Sequence, residues 1–131
     1  MKYLALAAYI AGAAALGINC RGSSFCGDNA PPMQNIKNEL GYMIDNGLGG
    51  KYYHENDQIV CSQVESLSSC VFFQKGASGT VQDAYNHVER LMDHGCYNCG
   101  SDPTQPGNDV NRGELTVNVV SSPCCGGDCR C

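Results

Sequence analysis

The run Thr80-Val-Gln-Asp-Ala-Tyr-Asn-His-Val-Glu-Arg-Leu-Met-Asp-His-Gly95 leads directly into Cys96-Tyr-Asn-Cys99. Thr80 suits a helix N-cap, and Asp83 stands three residues on, in the manner of a capping box with a shorter acid. Ala84, Val88, Leu91 and Met92 then fall on one face of a 3.6-residue period. Gly95 stops the helix, with His94 in its last turn near the negative end of the dipole. A helix with one apolar stripe needs a second layer to cover that stripe. The C-x-x-C that follows offers two thiols to a metal or a redox partner. A redox C-x-x-C usually opens a helix, where the dipole lowers the thiol pKa; this one follows a helix, which favours ordinary disulfides.

Toward the N-terminus, Pro31-Pro32 can open an earlier helix, because proline suits a first turn. Met33, Ile36, Leu40, Met43 and Ile44 make its apolar stripe, Gly41 weakens its middle, and Asn46-Gly47 closes it with a left-handed cap signal. Leu16 to Gly22 reads as a strand or extended arm. Gly47 to Gln58 reads as a polar loop holding Lys51, Tyr52, Tyr53 and His54, and Lys75 to Gly79 as another. Ile59-Val60-Cys61 and Ser69 to Gln74 are strand-like and close enough for an antiparallel hairpin. On the C-terminal side, Cys96 to Arg112 is a long loop rich in Gly, Pro, Asn and Asp. Gly113 to Val120 alternates as a half-buried strand, with Leu115, Val117 and Val119 facing one way. Two amphipathic helices and a handful of strands make an α+β layer, the helices covering one face of a mainly antiparallel sheet.

The chain has 131 residues, 10 cysteines and a formal charge of −5. That length suits one core. The acidic balance argues against nucleic acid or an anionic membrane as the main partner. Lys2, the apolar run Leu4 to Ala11 and the small residues Ala13-Ala14-Ala15 have the build of a secretory signal peptide. The apolar stretch from Tyr3 to Ile18 is short for a membrane anchor and broken by small residues. Residues 1–15 are therefore expected to be removed, leaving 16–131 as one secreted, extracellular domain with ten cysteines, enough for five disulfides.

The tail from Pro123 carries Cys124, Cys125, Cys129 and Cys131 and resembles a thiolate metal cluster. In an oxidised chain two disulfides are the better reading, and adjacent Cys124 and Cys125 should take different partners, since vicinal bonds are strained. His54, His87 and His94 could serve a small secreted hydrolase, but nucleophilic catalysis needs a further positioned group. His87 and His94 read as solvated helix positions. Asp102, Asp109 and Glu114 lack the ordered spacing of a calcium loop, and Asp102-Pro103 and Asn108-Asp109 read as turns. No cofactor or metal is expected.

Leu16-Gly-Ile-Asn-Cys-Arg-Gly-Ser-Ser24, His94-Gly-Cys-Tyr-Asn-Cys-Gly-Ser-Asp-Pro103, Gly107-Asn-Asp-Val110 and Arg112-Gly-Glu-Leu-Thr-Val-Asn118 together resemble the smut-fungus killer toxin family, the calcium-channel-blocking KP-four type. The blocks lie at both ends of the domain; 27–79 matches in outline. The resemblance implies a disulfide-rich α/β sandwich, an antiparallel sheet with two antiparallel helices on one face. It also implies a non-enzymatic, monomeric toxin or effector that acts on a target-cell surface protein, in the family a calcium channel, without stable insertion into a membrane. The family's pairing carried over gives Cys20–Cys96 and Cys26–Cys99.

Family cysteines in the first and second helices are replaced here by Tyr42 and Tyr85. That leaves Cys61 and Cys70 to cross-link the hairpin, with Cα atoms about 5.5 Å apart, and the four tail cysteines to pair among themselves. The family's functional lysine falls at Ile59. Lys51, beside two tyrosines in a polar loop, and Lys75, after the second hairpin strand, are the cations left to meet a target.

Overall fold

The computed structural model describes residues 16–131. Helix α1 spans Met33–Asp45. Strands β1 (Tyr52–Tyr53), β2 (Val60–Val64), β3 (Leu67–Gln74) and β4 (Gly79–Thr80) follow, then helix α2 (Val81–Asp93). Strand β5 (Gly100–Pro103), a short 3-10 turn over Val110–Arg112, β6 (Glu114–Val120) and β7 (Cys129–Arg130) complete the chain. The signal-peptide reading of 1–15 lies outside the described residues. Among the described residues no helix is long and apolar enough to cross a membrane.

Both helices begin and end for local reasons. Thr80 accepts a hydrogen bond from the Asp83 amide at 3.1 Å while the Asp83 carboxylate accepts one from the Thr80 amide at 2.9 Å, a complete capping box. Pro32 caps α1 with no side-chain bond; the Met33 amide instead donates to the Tyr97 carbonyl at 2.7 Å, so the entry of α1 is tied to the exit of α2. At that exit Gly95 takes φ +103°, and the amides of Gly95 and Cys96 donate back to Met92 and Leu91 at 3.0 Å each. This Schellman turn folds Cys96 back toward the helix it has just left. Gly47, at φ +82°, ends α1 in the same way, with Leu48 donating to Met43 at 2.8 Å. Replacing Thr80 by alanine is expected to cost about 1 kcal/mol, read as a lower urea midpoint with an unchanged slope.

Five strands form one antiparallel sheet in the order β5-β6-β3-β2-β7, and β1 pairs with β4 separately. The helices run antiparallel: Lys37 of α1 lies by Glu89 of α2, and Gly41 by Tyr85. Their inner stripes, Met33, Ile36, Leu40 and Met43 with Val81, Ala84, Val88 and Leu91, are buried against Val60, Val71, Phe73, Leu115 and Val117 of the sheet. This is the α+β sandwich with both helices on one face. Ile44 and Met92 sit only partly buried at the stripe margins.

The β2–β3 hairpin turns through Glu65 and Ser66, with Glu65 at positive φ. It sets Cys61 directly opposite Cys70, with a Cα separation of 4.1 Å. That is shorter than the expected 5.5 Å, because opposed residues between ladder hydrogen bonds approach to about 4.5 Å.

Several local readings are corrected. The loop 47–58 contains β1, and Gly79, read as loop, lies in β4. The long loop 96–112 contains β5 and the 3-10 turn, and Asp102-Pro103 is strand rather than turn, because pairing with Leu115 and Glu114 overrides weak strand propensity. Strand β6 is not half-exposed: with β3 on one side and β5 on the other, Glu114 and Thr116 are buried too. The tail, read only as a cysteine cluster closed by disulfides, also contributes β7, which pairs with β2. The outer side of β5 is thus met by the arm at Asn19, and the outer side of β2 by the two-residue β7. Asn19 exchanges two main-chain hydrogen bonds with Ser101 of β5, and β7 lies on β2, which keeps the edges from templating aggregation.

Candidate functional site

The ten cysteines form five disulfides: Cys20–Cys96, Cys26–Cys99, Cys61–Cys70, Cys124–Cys131 and Cys125–Cys129. The first two clamp the N-terminal arm beside the exit of α2. The tail carries no metal-type thiols in this state, although the sulfurs of Cys61, Cys124, Cys125 and Cys131 lie within 4.8 Å of one another.

Lys51 leads into β1. Its ammonium lies 5.1 Å from the centre of the Tyr53 ring and 3.4 Å from the Cys131 main-chain oxygen, which the Tyr53 hydroxyl also reaches at 3.4 Å. The next tail residue, Arg130, stacks 4.4 Å from the Tyr42 ring centre and pairs with Glu39 at 3.3 Å. Lys51 and Arg130 thus share one edge with Tyr42 and Tyr53, where exposed cations rest on aromatic faces. Lys75 lies elsewhere, in the turn Gln74-Lys75-Gly76-Ala77, where both central residues have positive φ and Ala77 donates to Gln74 at 3.1 Å. The Gly76 amide donates to the Glu55 carboxylate at 2.8 Å, so a negative charge shares that turn. Ile59 is fully buried and offers the surface no side chain; its carbonyl accepts from Cys131. Tyr85 packs over Gly41 with the Lys37 ammonium 5.5 Å from its ring centre.

The three histidines are not brought together. His54 is exposed and meets the Tyr52 ring edge-on at 5.2 Å. His94 is the exposed C-cap of α2. His87, read as solvated, is corrected. Its Nδ1 lies 2.6 Å from Asp102 Oδ2, and because an ionised carboxylate only accepts, Nδ1 carries the proton. Arg90, one turn on, grips the same carboxylate through Nε at 2.9 Å and a second nitrogen at 3.4 Å.

Asp102 is fully buried. Burial pushes its carboxyl pKa up, and the hydrogen bonds and charges of His87 and Arg90 outweigh that, so the net position is below the ordinary carboxylate value. The hydrogen bond to Asp102 and then its charge raise the Arg90 pKa. This cluster staples α2 to β5. Sequence reasoning missed Arg90 and the partnership; the available signal was the three-residue spacing of His87 and Arg90 on one helix face. Asp109, a weighed calcium ligand, caps the 3-10 turn through the Asn111 amide at 3.0 Å, and Glu114 lies in β6.

A family model described as Kp4 matches residues 3–121. The KP4 killer toxin of Ustilago maydis P4 virus is 41% identical over 124 residues, covering 92% of this chain and 93% of that protein. Lys51 lies inside the family match, and the segment 122–131 that closes its edge lies past it.

Proposed function

Because this chain belongs to the Kp4 killer-toxin family, we propose that it is a secreted toxin or effector that inhibits growth of a target cell by binding a surface protein, without catalysis. The observation that carries the reading is the family match over nearly the whole chain. Ten cysteines closed into five disulfides suit an oxidising, extracellular setting. The class of target is a protein that governs calcium entry. The binding face is the Lys51 edge, where exposed Lys51, Tyr52 and Tyr42 present contact area that buried Ile59 does not. Lys75 is the second cation.

The net charge of −5 sets this protein apart from a blocker steered by charge to a carboxylate-lined channel mouth. Raised salt is therefore expected to leave inhibition unchanged or to strengthen it, since screening removes repulsion.

Purified protein applied to fungi and plant seedlings, with and without added calcium, tests the function. Growth inhibition relieved by calcium supports it; inhibition indifferent to calcium moves the target outside calcium entry. Lys51→Glu and Lys75→Glu are surface changes expected to fold normally. Lys51→Glu should weaken inhibition about ten-fold or more, the scale of one lost charged contact. Full retention by both variants would assign recognition to another face.

A further inference from the structure

We propose that segment 122–131 is a strap that thiols open, and that its release uncovers the outer edge of β2 and frees the exposed Lys51 ammonium from its contact with Cys131. The proposal rests on the reading of the Lys51 edge as the target-binding face, and adds how access to that face is controlled.

The strap is held by main-chain pairing and a few side chains. Arg130 and Cys129 pair with Val60 and Cys61, and the Cys131 amide donates to Ile59 at 2.9 Å. Asp128 accepts from the Ser62 hydroxyl at 2.6 Å, and the Gly127 amide donates to Gln63 at 2.9 Å. These contacts cover the main-chain donors and acceptors along the outer side of β2, and Cys131 also occupies Lys51 and Tyr53. No strap residue belongs to the buried apolar core between sheet and helices. The segment also lies past the last residue that the family model matches.

The two strap disulfides differ from the other three in having neither sulfur held in the buried core. Their cysteines are seven and four residues apart, against 76 and 73 for the clamps of the N-terminal arm. In each arm clamp one cysteine, Cys96 or Cys99, is buried and held in a core cluster, whereas no strap cysteine is buried. Cys61–Cys70 closes a comparably short span of nine, but both its cysteines are fully buried, whereas Cys124 is exposed and Cys125, Cys129 and Cys131 are half-exposed. Access therefore separates the strap from the hairpin bond, and the lack of a buried, core-held sulfur separates it from the arm.

The reductant is a dithiol, of the kind carried by disulfide-exchanging enzymes at cell surfaces. Its thiolate attacks Cys125 Sγ, forms a mixed disulfide and expels Cys129 as a thiolate that takes a proton. Its second thiol displaces Cys125, leaving two protein thiols and one oxidised dithiol. A second equivalent opens Cys124–Cys131 in the same way. With both bonds open, only the short β7 ladder and the polar contacts hold the strap, and a two-residue ladder does not hold by itself.

The test treats the oxidised protein with graded dithiothreitol, alkylates free thiols, maps them by mass, and follows amide exchange. The four strap cysteines should alkylate at a reductant level about ten-fold or more below that needed for Cys20, Cys26, Cys96 and Cys99. At that level amides in 59–63 should exchange at least about ten-fold faster, with helix amides unchanged, and the Lys51 amine should acylate faster. A variant with serine at all four strap cysteines should show the fast exchange with no reductant. Alkylation of Cys61 or Cys70 together with the strap would overturn the proposal, since the break would then have crossed the 3.6 Å contact between Cys61 and Cys124 sulfurs. Strap thiols alkylated with 59–63 still slow would overturn it too. Growth inhibition is not a readout here, so a failed target assignment and a failed strap give different results.

Discussion

Replacing Cys20 and Cys96 together by serine is expected to cost about 4 kcal/mol of stability. The bond joins residues 76 apart, so its loss returns a large closed loop to the unfolded chain. The native state suffers as well. Cys96 sits where the Schellman turn folds the chain back on α2, and the arm that Cys20 anchors supplies the Asn19 bridge on β5. A small domain has about 5–15 kcal/mol in all, so this one change removes a large share of it. The control is Cys125→Ser with Cys129→Ser, whose closure spans only four residues and is expected to cost about half as much. Urea unfolding with the remaining disulfides intact measures both. Equal losses would mean that loop length is not what makes the arm clamp valuable.

The second large effect is at Asp102. Asp102→Ala is expected to destabilise by about 3 kcal/mol near neutral pH. It removes the acceptor shared by His87 and Arg90 and leaves a half-buried imidazole and a guanidinium without their partner. The loss stays at the lower end of the range for broken buried pairs, because the Arg90 side chain is 62% exposed and can turn to water. His87→Ala should cost less, since Arg90 still holds the carboxylate through two nitrogens.

The pH dependence has a definite sign. The Asp102 pKa is lower in the folded protein than in the unfolded chain. Its contribution is therefore present in full above the unfolded value, about 3.9, and is lost as pH falls through that value toward the lower folded one. Thermal melts at pH 7 and pH 3 should show the gap between Asp102→Ala and the parent narrowing in acid. A gap that is constant with pH would mean that Asp102 contributes through packing and not through its charge.

Much of the helical layer was readable directly. Thr80 and Asp83, the stripe Ala84–Val88–Leu91, the stripe Met33–Ile36–Leu40–Met43 and the stop glycines 47 and 95 lie where the structure uses them. So does the Cys61–Cys70 hairpin as a pair of facing strands. Each depends on residues a few positions apart, where backbone preference, capping and side-chain periodicity act without help from the rest of the chain. The α1 entry was only half readable. Pro32 marks the place, but the acceptor for its first amide is Tyr97, 64 residues from Met33. The candidate site divides the same way. Lys51 and Lys75 could be picked out as cations in polar loops, whereas the stacking of Arg130 on Tyr42 could not.

The sequence by itself determined the two amphipathic helices, their caps, the hairpin and an even set of cysteines. Their order along the chain, compared with that of a known family, also brought the sandwich within reach. Tertiary structure alone decided that Gly-Ser-Asp-Pro is a strand, that β1 meets β4, that His87 and Arg90 share a buried Asp102, and that the tail lies along β2 beside Lys51. None of these segments has the length or propensity to form such structure alone. Each is stabilised only when folding brings a distant backbone edge or charge within hydrogen-bond reach, and the interaction that specifies it does not exist in the separate segments.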